Sequence, residues 1–465
     1  MPMEKRFMCN RFSILIGIIF VLTCGLTTGL FGFTAGHVHA DDWPQWMGPG
    51  RDNLWREQGI IETIPAAGLK TLWRTSIHGG YSGPAVANGR VFVTDYVRSS
   101  GELENNPNSR IQLQGRERVL CLAAEDGKIQ WVHEYDCPYE ISYPAGPRCT
   151  PTVDEGRVYT LGAEGNLFCL DVASGKVIWS KDFQKDFAAM IPLWGCASHP
   201  LVYGDLLLCV VGGEGSVAVA FDKRTGAERW RGLTAKEQGY CPPTVIHSAG
   251  IDQLLIWDAE HLNSLNPLTG EVYWSFPLVA EFGMAISAPQ ISGKYLFASA
   301  IGPVGGLFEL DQDRPGIREV WKGTRKSGVA CASSTPFLRD NVVYGVDCHS
   351  GGLRAVDMKN GNWLWETFLP TTGNRRAGNA TTFMVAHDDR FFLFSETGDL
   401  IIAKFSKEKY DELGRFHLLE PTGEAFGRSV VWNAPAFANR CCYVRNDAEL
   451  ICVSLRAEAD TQDRD

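Results

Sequence analysis

Leu167-Phe168-Cys169-Leu170-Asp171-Val172-Ala173-Ser174-Gly175-Lys176-Val177-Ile178-Trp179 reads as strand, turn, strand. Apolar alternation runs up to Leu170, and Asp171-x-x-x-Gly175 makes a turn in which glycine takes positive φ at little cost. Alternation then resumes and ends at Trp179. The phrase returns at 120–131, 217–230, 262–274, 307–321 and 353–365. The closing tryptophans, Trp131, Trp179, Trp230, Trp274, Trp321 and Trp365, lie 48, 51, 44, 47 and 44 residues apart. That period suits a four-stranded propeller blade and exceeds the roughly 34 residues of the shorter helical repeats.

A second hairpin precedes each phrase and opens on a proline: Pro84, Pro151, Pro200, Pro243, Pro289, Pro336 and Pro435, with Thr382 filling the one gap. Eight starts predict an all-β, eight-bladed propeller of four-stranded antiparallel blades over residues 70–456. Trp73 precedes the first hairpin while the last copy ends near Leu455 without a tryptophan. The two halves complete one blade, so the amino-terminal strand closes the ring and removes exposed sheet edges. A monomeric propeller is expected. The seven repeat tryptophans, Trp73 included, read as inter-blade packing, each large ring buried with its N–H on a turn carbonyl. In the decayed 404–416 copy, Phe416 is the expected substitute. Cys121, Cys169 and Cys452 share a repeat slot with Ala220, Ser264, Glu309, Ala355 and Ala403, which marks a core position rather than a metal site.

Ahead of the repeats, Lys5, Arg6 and Arg11 precede an uncharged apolar stretch at 12–33, and Val38-His39-Ala40 supplies small residues for a signal peptidase. Cleavage after Ala40 is expected, which divides the chain into a leader at 1–40, an amino-terminal segment at 41–69, the propeller, and a polar tail at 457–465. An uncleaved anchor and a lipoprotein attached at Cys24 are the alternatives, and each implies an extracytoplasmic (periplasmic or secreted) propeller. The formal charge of −10 becomes −12 without the leader, and no basic run follows, which argues against nucleic acid as a partner.

The Leu-Asp-x-x-x-Gly-x-x-x-Trp phrase resembles the tryptophan-docking motif of the PQQ-like (pyrroloquinoline quinone-like) repeat family. Trp43-Pro44-Gln45-Trp46 resembles the opening of secreted PQQ-binding-like propellers of planctomycete-type bacteria, and the whole is similar to BamB-like propellers. That resemblance implies either a protein-binding scaffold or a dehydrogenase of alcohols or sugars that uses PQQ with Ca²⁺. The enzymes often stack a vicinal disulfide on the quinone, and Cys441-Cys442 invites the comparison. Arg440-Cys-Cys-Tyr-Val nevertheless occupies the place of Gly89-Arg-Val-Phe-Val, an extended strand whose side chains alternate, so two reduced core thiols are expected. No complete catalytic set is found, no cofactor is predicted, and a scaffold for protein segments is the preferred reading.

Links from each Trp strand to the next proline strand share one face with the links after each second strand. The first kind carries Tyr81, Arg148, Trp194, Tyr240, Met284, Arg325, Lys326, Arg375, Arg376, Arg428 and Trp432, with a net charge of +2 on an acidic chain. Tyr81, Arg148, Trp194, Arg325, Lys326, Arg375, Arg376 and Trp432 are the candidate ligand residues, expected to gather at the channel mouth around a protein segment or an anionic ligand. The same residues also fit ordinary loop composition. Glu164, Glu214, Glu260, Asp347, Glu396 and Asp447 precede successive third strands and would offer carboxylates to Ca²⁺, but the glycines beside them mark turns, and no metal site is expected. The insertion at 97–118 is either a recognition loop or spare surface chain.

Overall fold

The structure is a computed structural model and describes residues 42–457. The leader, its cleavage site, Cys24 and the end of the polar tail lie outside the described residues. No helix among the described residues is long and apolar enough to cross a membrane.

Eight sheets each contain a path of four antiparallel strands. Blade one comprises Ala85–Ala87, Arg90–Ser100, Ile111–Ala123 and Ile129–Asp136. Blades two to seven begin at Thr152–Asp154, Leu201–Tyr203, Thr244–Ser248, Gln290–Ser292, Phe337–Arg339 and Thr382–His387. Blade eight joins Ala436–Ala438, Cys441–Arg445 and Glu449–Ser454 to Thr71–Ser76, with Trp73 opposite Cys452. The amino-terminal strand therefore closes the ring. First strands of neighbouring blades touch, which sets them around the axis, whereas fourth strands such as Ile129–Asp136 alternate toward solvent.

Between blades the repeat tryptophans pack as the motif predicts in part, with Trp73, Trp179 and Trp230 buried but Trp131, Trp274, Trp321 and Trp365 only half-buried. Trp131 Nε1 donates to the Val172 carbonyl at 3.1 Å, Trp179 to Lys223 at 3.2 Å and Trp321 to Met358 at 2.8 Å, each carbonyl lying in the next blade's Asp-x-x-x-Gly turn. A Cβ at Gly175 would sit 2.5 Å from the Trp131 ring and one at Gly226 2.6 Å from Trp179, so the turn glycine serves both positive φ and close approach. Trp274 differs: the facing turn, Asp311 to Gly316, is longer, and its indole donates instead to Gln253 Oε1 in its own blade.

Two expectations about the repeat need correction. The residue in the tryptophan register of blade seven is Gly414, opposite Ile402, not Phe416, which pairs with Leu400. There the amino-terminal segment replaces the indole: Ile64 packs where a Gly414 side chain would stand, and Thr63 Oγ1 donates to the Leu413 carbonyl at 2.6 Å. The partner of Trp321 is Leu307, because the bulge falls two residues earlier than in other blades, so Glu309 sits outside the core slot and pairs with Lys294 and Arg318. Likewise Ala403 faces Glu412.

Candidate functional site

Every one of the eight inner links supplies a residue to a cavity of about 440 Å³, which places it on the ring axis. Its lining includes Tyr81, Tyr143, Arg148, Trp194, Tyr240, Phe282, Met284, Phe426 and Trp432, with Trp46 and His199.

Residues 42–57 form a strap across one end. Trp43 bridges Val86 of blade one, Val153 N of blade two donates to the Pro44 carbonyl, and Trp55 N donates to Ala386 of blade seven. Arg51 reaches the carbonyls of Pro200 at 3.0 Å, His199 at 3.3 Å and Pro243 at 3.4 Å, which ties the strap to the inner strands of blades three and four. Burial pulls its guanidinium down to about 10, which leaves it charged at neutral pH. Trp46 stacks on His199, and Arg51 lies 5.5 Å over the same indole. Burial and the Arg51 charge push the His199 imidazole well below the ordinary histidine range. His199 Nδ1 accepts from Thr150 N at 2.9 Å, so the neutral ring carries its proton on Nε2.

At the other end lies the insertion. It is an extension of blade one's central hairpin, whose strands run to Ser100 and from Ile111, with Tyr139–Ile141 added beside it. Its tip crosses the mouth: Asn105 Nδ2 donates to the Glu424 carbonyl at 2.7 Å, Ser142 Oγ donates to the Asn106 carbonyl at 2.5 Å, and Pro107 and Asn108 line the cavity.

Arg148 is fixed in the wall by carbonyls, with Nε on Trp194 at 2.9 Å and Nη2 on Ser142 and Tyr143 at 2.9 and 2.7 Å, while Nη1 donates to Gly146. Among the described residues no carboxylate forms an ion pair with it, and its guanidinium lies 5.2 Å over the Tyr81 ring. Burial pushes the Tyr81 phenol above its ordinary range. Trp432 Nε1 donates to Glu396 Oε2 at 3.1 Å, and Glu396 in turn holds Arg428 at 2.7 Å, so the ion pair orients the indole. Tyr143 is only 7% exposed, and its buried hydroxyl has no hydrogen-bond partner among the described residues. Tyr143, Phe282 and Phe426 have φ of 49°, 57° and 51°, left-handed backbone that bulky residues rarely adopt and that collects at functional sites. All three line this one cavity.

The structure brings together Tyr81, Arg148, Trp194 and Trp432 and separates them from the other candidates. Arg325 and Arg376 line a second cleft between blades five and six, and Lys326 and Arg375 line neither. The axial mouth is thus aromatic around a single guanidinium rather than a ring of arginines. Sequence reasoning missed Trp46, His199, Tyr143, Phe282 and Phe426. Trp46 had a signal, the Trp43-to-Trp46 phrase ahead of the repeats; the others sit in links without a repeat position to mark them. The acidic set disperses: Asp347 pairs with Arg354, Glu396 with Arg428, Glu164 accepts from Glu140 N and Asp447 from Gly80 N. Among the described residues no cluster of His, Cys, Asp and Glu is arranged to hold a metal.

Residues at the axial cavity do not fit a quinone held by calcium. Among the described residues no Asp or Glu lines it, so these offer neither a carboxylate ligand for Ca²⁺ nor a carboxylate base, and Glu396 beside Trp432 is already bound to Arg428, Trp432 and Thr381 N. Cys441 and Cys442 lie in one extended strand, both as free thiols, and neither lines the cavity.

Fold and site together define a repeat propeller with a strapped, aromatic axial cavity. The chain belongs to the PQQ-like repeat family described as outer membrane protein assembly factor BamB, whose profile matches residues 115–367 and again 252–457. It is 25% identical over 266 residues to the outer membrane protein assembly factor BamB of Moranella endobia, covering 52% of this chain and 62% of that protein. It is 30% identical over 134 residues to the quinohemoprotein alcohol dehydrogenase ADH-IIG of Pseudomonas putida, covering 27% of this chain and 18% of that enzyme. The chain thus spans less than two thirds of the curated relatives' length. The crystal structure of BamB from Moraxella catarrhalis shares the fold, with a TM-score of 0.54 at 15% identity over 84% of this chain and 99% of that one.

Proposed function

We propose that this protein is an extracytoplasmic scaffold whose cavity-bearing face docks a protein partner, as in the assembly factors it resembles. One observation carries the reading. Leu103, Met190, Val279, Phe282, Leu369 and Phe426, all in links on that face, are 49–76% exposed. Elsewhere, Val177 and Leu364 on outer strands are 46% and 41% exposed, and Leu268 in the turn before blade four's last strand, an isolated position, is 63% exposed. A rim of protruding Phe and Met around a recessed aromatic cavity has the composition of a binding hot spot. The ring beneath is rigid, so little ordering cost opposes docking. The leader-like residues 1–40 support export, and the match to BamB proteins supports protein assembly rather than chemistry.

A PQQ- and calcium-dependent dehydrogenase is the second reading, favoured by the match to a quinohemoprotein enzyme and opposed by the missing carboxylates. A Phe282→Ser/Phe426→Ser variant should lose the proteins that co-purify with the wild type from cell envelopes, with its thermal unfolding unchanged. Quinone-dependent dye reduction after loading with PQQ and Ca²⁺ would favour the enzyme instead.

A further inference from the structure

The second cleft has a volume of about 450 Å³, within the range of small-ligand sites, and it does not depend on the docking face proposed above. Three segments build most of it, the link at 323–330, the loop at 302–305 before blade five's third strand and the loop at 347–349 before that of blade six, and Glu281, Arg354 and Arg376 complete it from elsewhere. Close packing keeps side chains off part of its wall. A Cβ at Gly305 would meet the Val329 carbonyl at 2.2 Å, and one at Gly323 the Gly305 carbonyl at 2.6 Å. At Gly302 a Cβ would meet Glu281 Cγ at 2.7 Å, so the glycine leaves room for the glutamate stem.

Charge in the cleft is unbalanced. Asp347 is already satisfied: Arg354 Nη1 lies 2.6 Å from Oδ2, Ser350 N donates to Oδ1 at 2.9 Å and Ala330 N to Oδ2 at 3.3 Å. Arg354 is satisfied as well, by Asp347 and by Glu366 at 2.8 Å, and stacks 3.9 Å over Trp363. That leaves Arg325 and Arg376 against Glu281, with His349 on the wall. Most guanidinium groups in this acidic chain are engaged by a carboxylate, a carbonyl or an aromatic ring. Among the described residues Arg325 and Arg376 make no side-chain hydrogen bond or ion pair, although they come from different links and line the same recess. Lys326, beside Arg325 at the tip of the Thr324–Ser327 bridge, does not line it.

We propose that this cleft binds an acidic sugar, Arg325 and Arg376 holding its carboxylate or sulfate and Glu281 accepting hydrogen bonds from its hydroxyls. Two guanidinium forks suit a planar or tetrahedral oxyanion, a lone carboxylate suits hydroxyl donors, and the shortage of aromatic lining excludes a flat apolar ligand.

Calorimetric titration of the purified protein at low ionic strength, with D-galacturonate, D-glucose 6-sulfate, D-glucose and sodium sulfate, tests it. Saturable binding of at least one acidic sugar is expected, with the better of the two identifying the oxyanion, and weaker binding of glucose and of sulfate alone. Arg325→Ala and Arg376→Ala should each weaken the acidic sugar about tenfold, as removal of a charge-assisted hydrogen bond does. Glu281→Gln should weaken the sugar and leave inorganic sulfate unaffected. Lys326→Ala/Arg375→Ala removes two positive charges outside the cleft, twice the charge lost in either single variant, and should still change binding little. Failure of both acidic sugars to bind, equal loss in the Lys326/Arg375 variant, or glucose binding as tightly as the acidic sugars would overturn the assignment.

Discussion

Trp46 lies flat on His199, ring centroids 4.6 Å apart and planes 11° from parallel. One ring comes from the segment before the repeats and the other from the link between blades two and three, so this stack joins the strap to the ring. Both rings line the axial cavity.

Loss of that stack should cost stability. Trp46→Ala should destabilise by about 1–2 kcal/mol, less than truncation of a fully packed aromatic because Trp46 is only half-buried. Arg51→Ala should act in the same direction, because it strands three carbonyls. Chemical denaturation measures both, and a loss under about 0.5 kcal/mol for each would show that the strap is a passive appendage.

Acid should unfold the protein partly through His199. Its folded pKa is depressed by burial and by Arg51, whereas an unfolded histidine titrates near ~6.5. Below that value the unfolded chain binds a proton that the folded one refuses. The stability contributed is therefore full above about pH 6.5 and declines as pH falls through and beneath it. His199→Gln should flatten the acid limb of a stability–pH curve; an unaltered limb would assign the acid sensitivity elsewhere.

Blade docking makes a paired prediction. Trp179→Ala should cost ~3–5 kcal/mol, mainly through lost burial, since the Lys223 carbonyl keeps its hydrogen bond from the Tyr159 hydroxyl at 2.9 Å. Gly226→Ala attacks the same contact from the other blade, since its Cβ would fall 2.6 Å from the indole at a φ of +71°. If urea unfolding leaves the Gly226 variant as stable as wild type, the turn does not hold the tryptophan as described.

Cys441 and Cys442 should be two separate thiols. Alkylation in denaturant without reductant should label both, and in the folded state neither, because they are 6% and 0% exposed. Peptide masses showing a Cys441–Cys442 disulfide would contradict the extended strand they occupy.

Most of the ring was legible because it repeats. Proline, Asp-x-x-x-Gly and Trp each mark a fixed place in a blade, so the strand order, the closure by Trp73 and the inner links could be read from spacing. Registers that depend on a single bulge could not, which is why the slots expected for Phe416 and Glu309 belong to Gly414 and Leu307. The site was legible only in part. Tyr81, Arg148, Trp194 and Trp432 lie on links, and links point inward. Charge on adjacent links does not reveal which cavity a side chain enters, and Arg325 and Arg376 turn into a different one. Nor does composition show that residues 42–57 fold back across the axis, since those contacts lie as far apart in sequence as Trp55 and Ala386.

The central claim is that partners dock on the cavity-bearing face. A photo-crosslinking amino acid placed singly at Phe282, Phe426, Val177 and Leu364 in intact cells tests it most directly. Docking on that face predicts discrete protein adducts from positions 282 and 426 and none from the outer-strand positions 177 and 364. Adducts confined to 177 or 364, or none at 282 and 426, would contradict it.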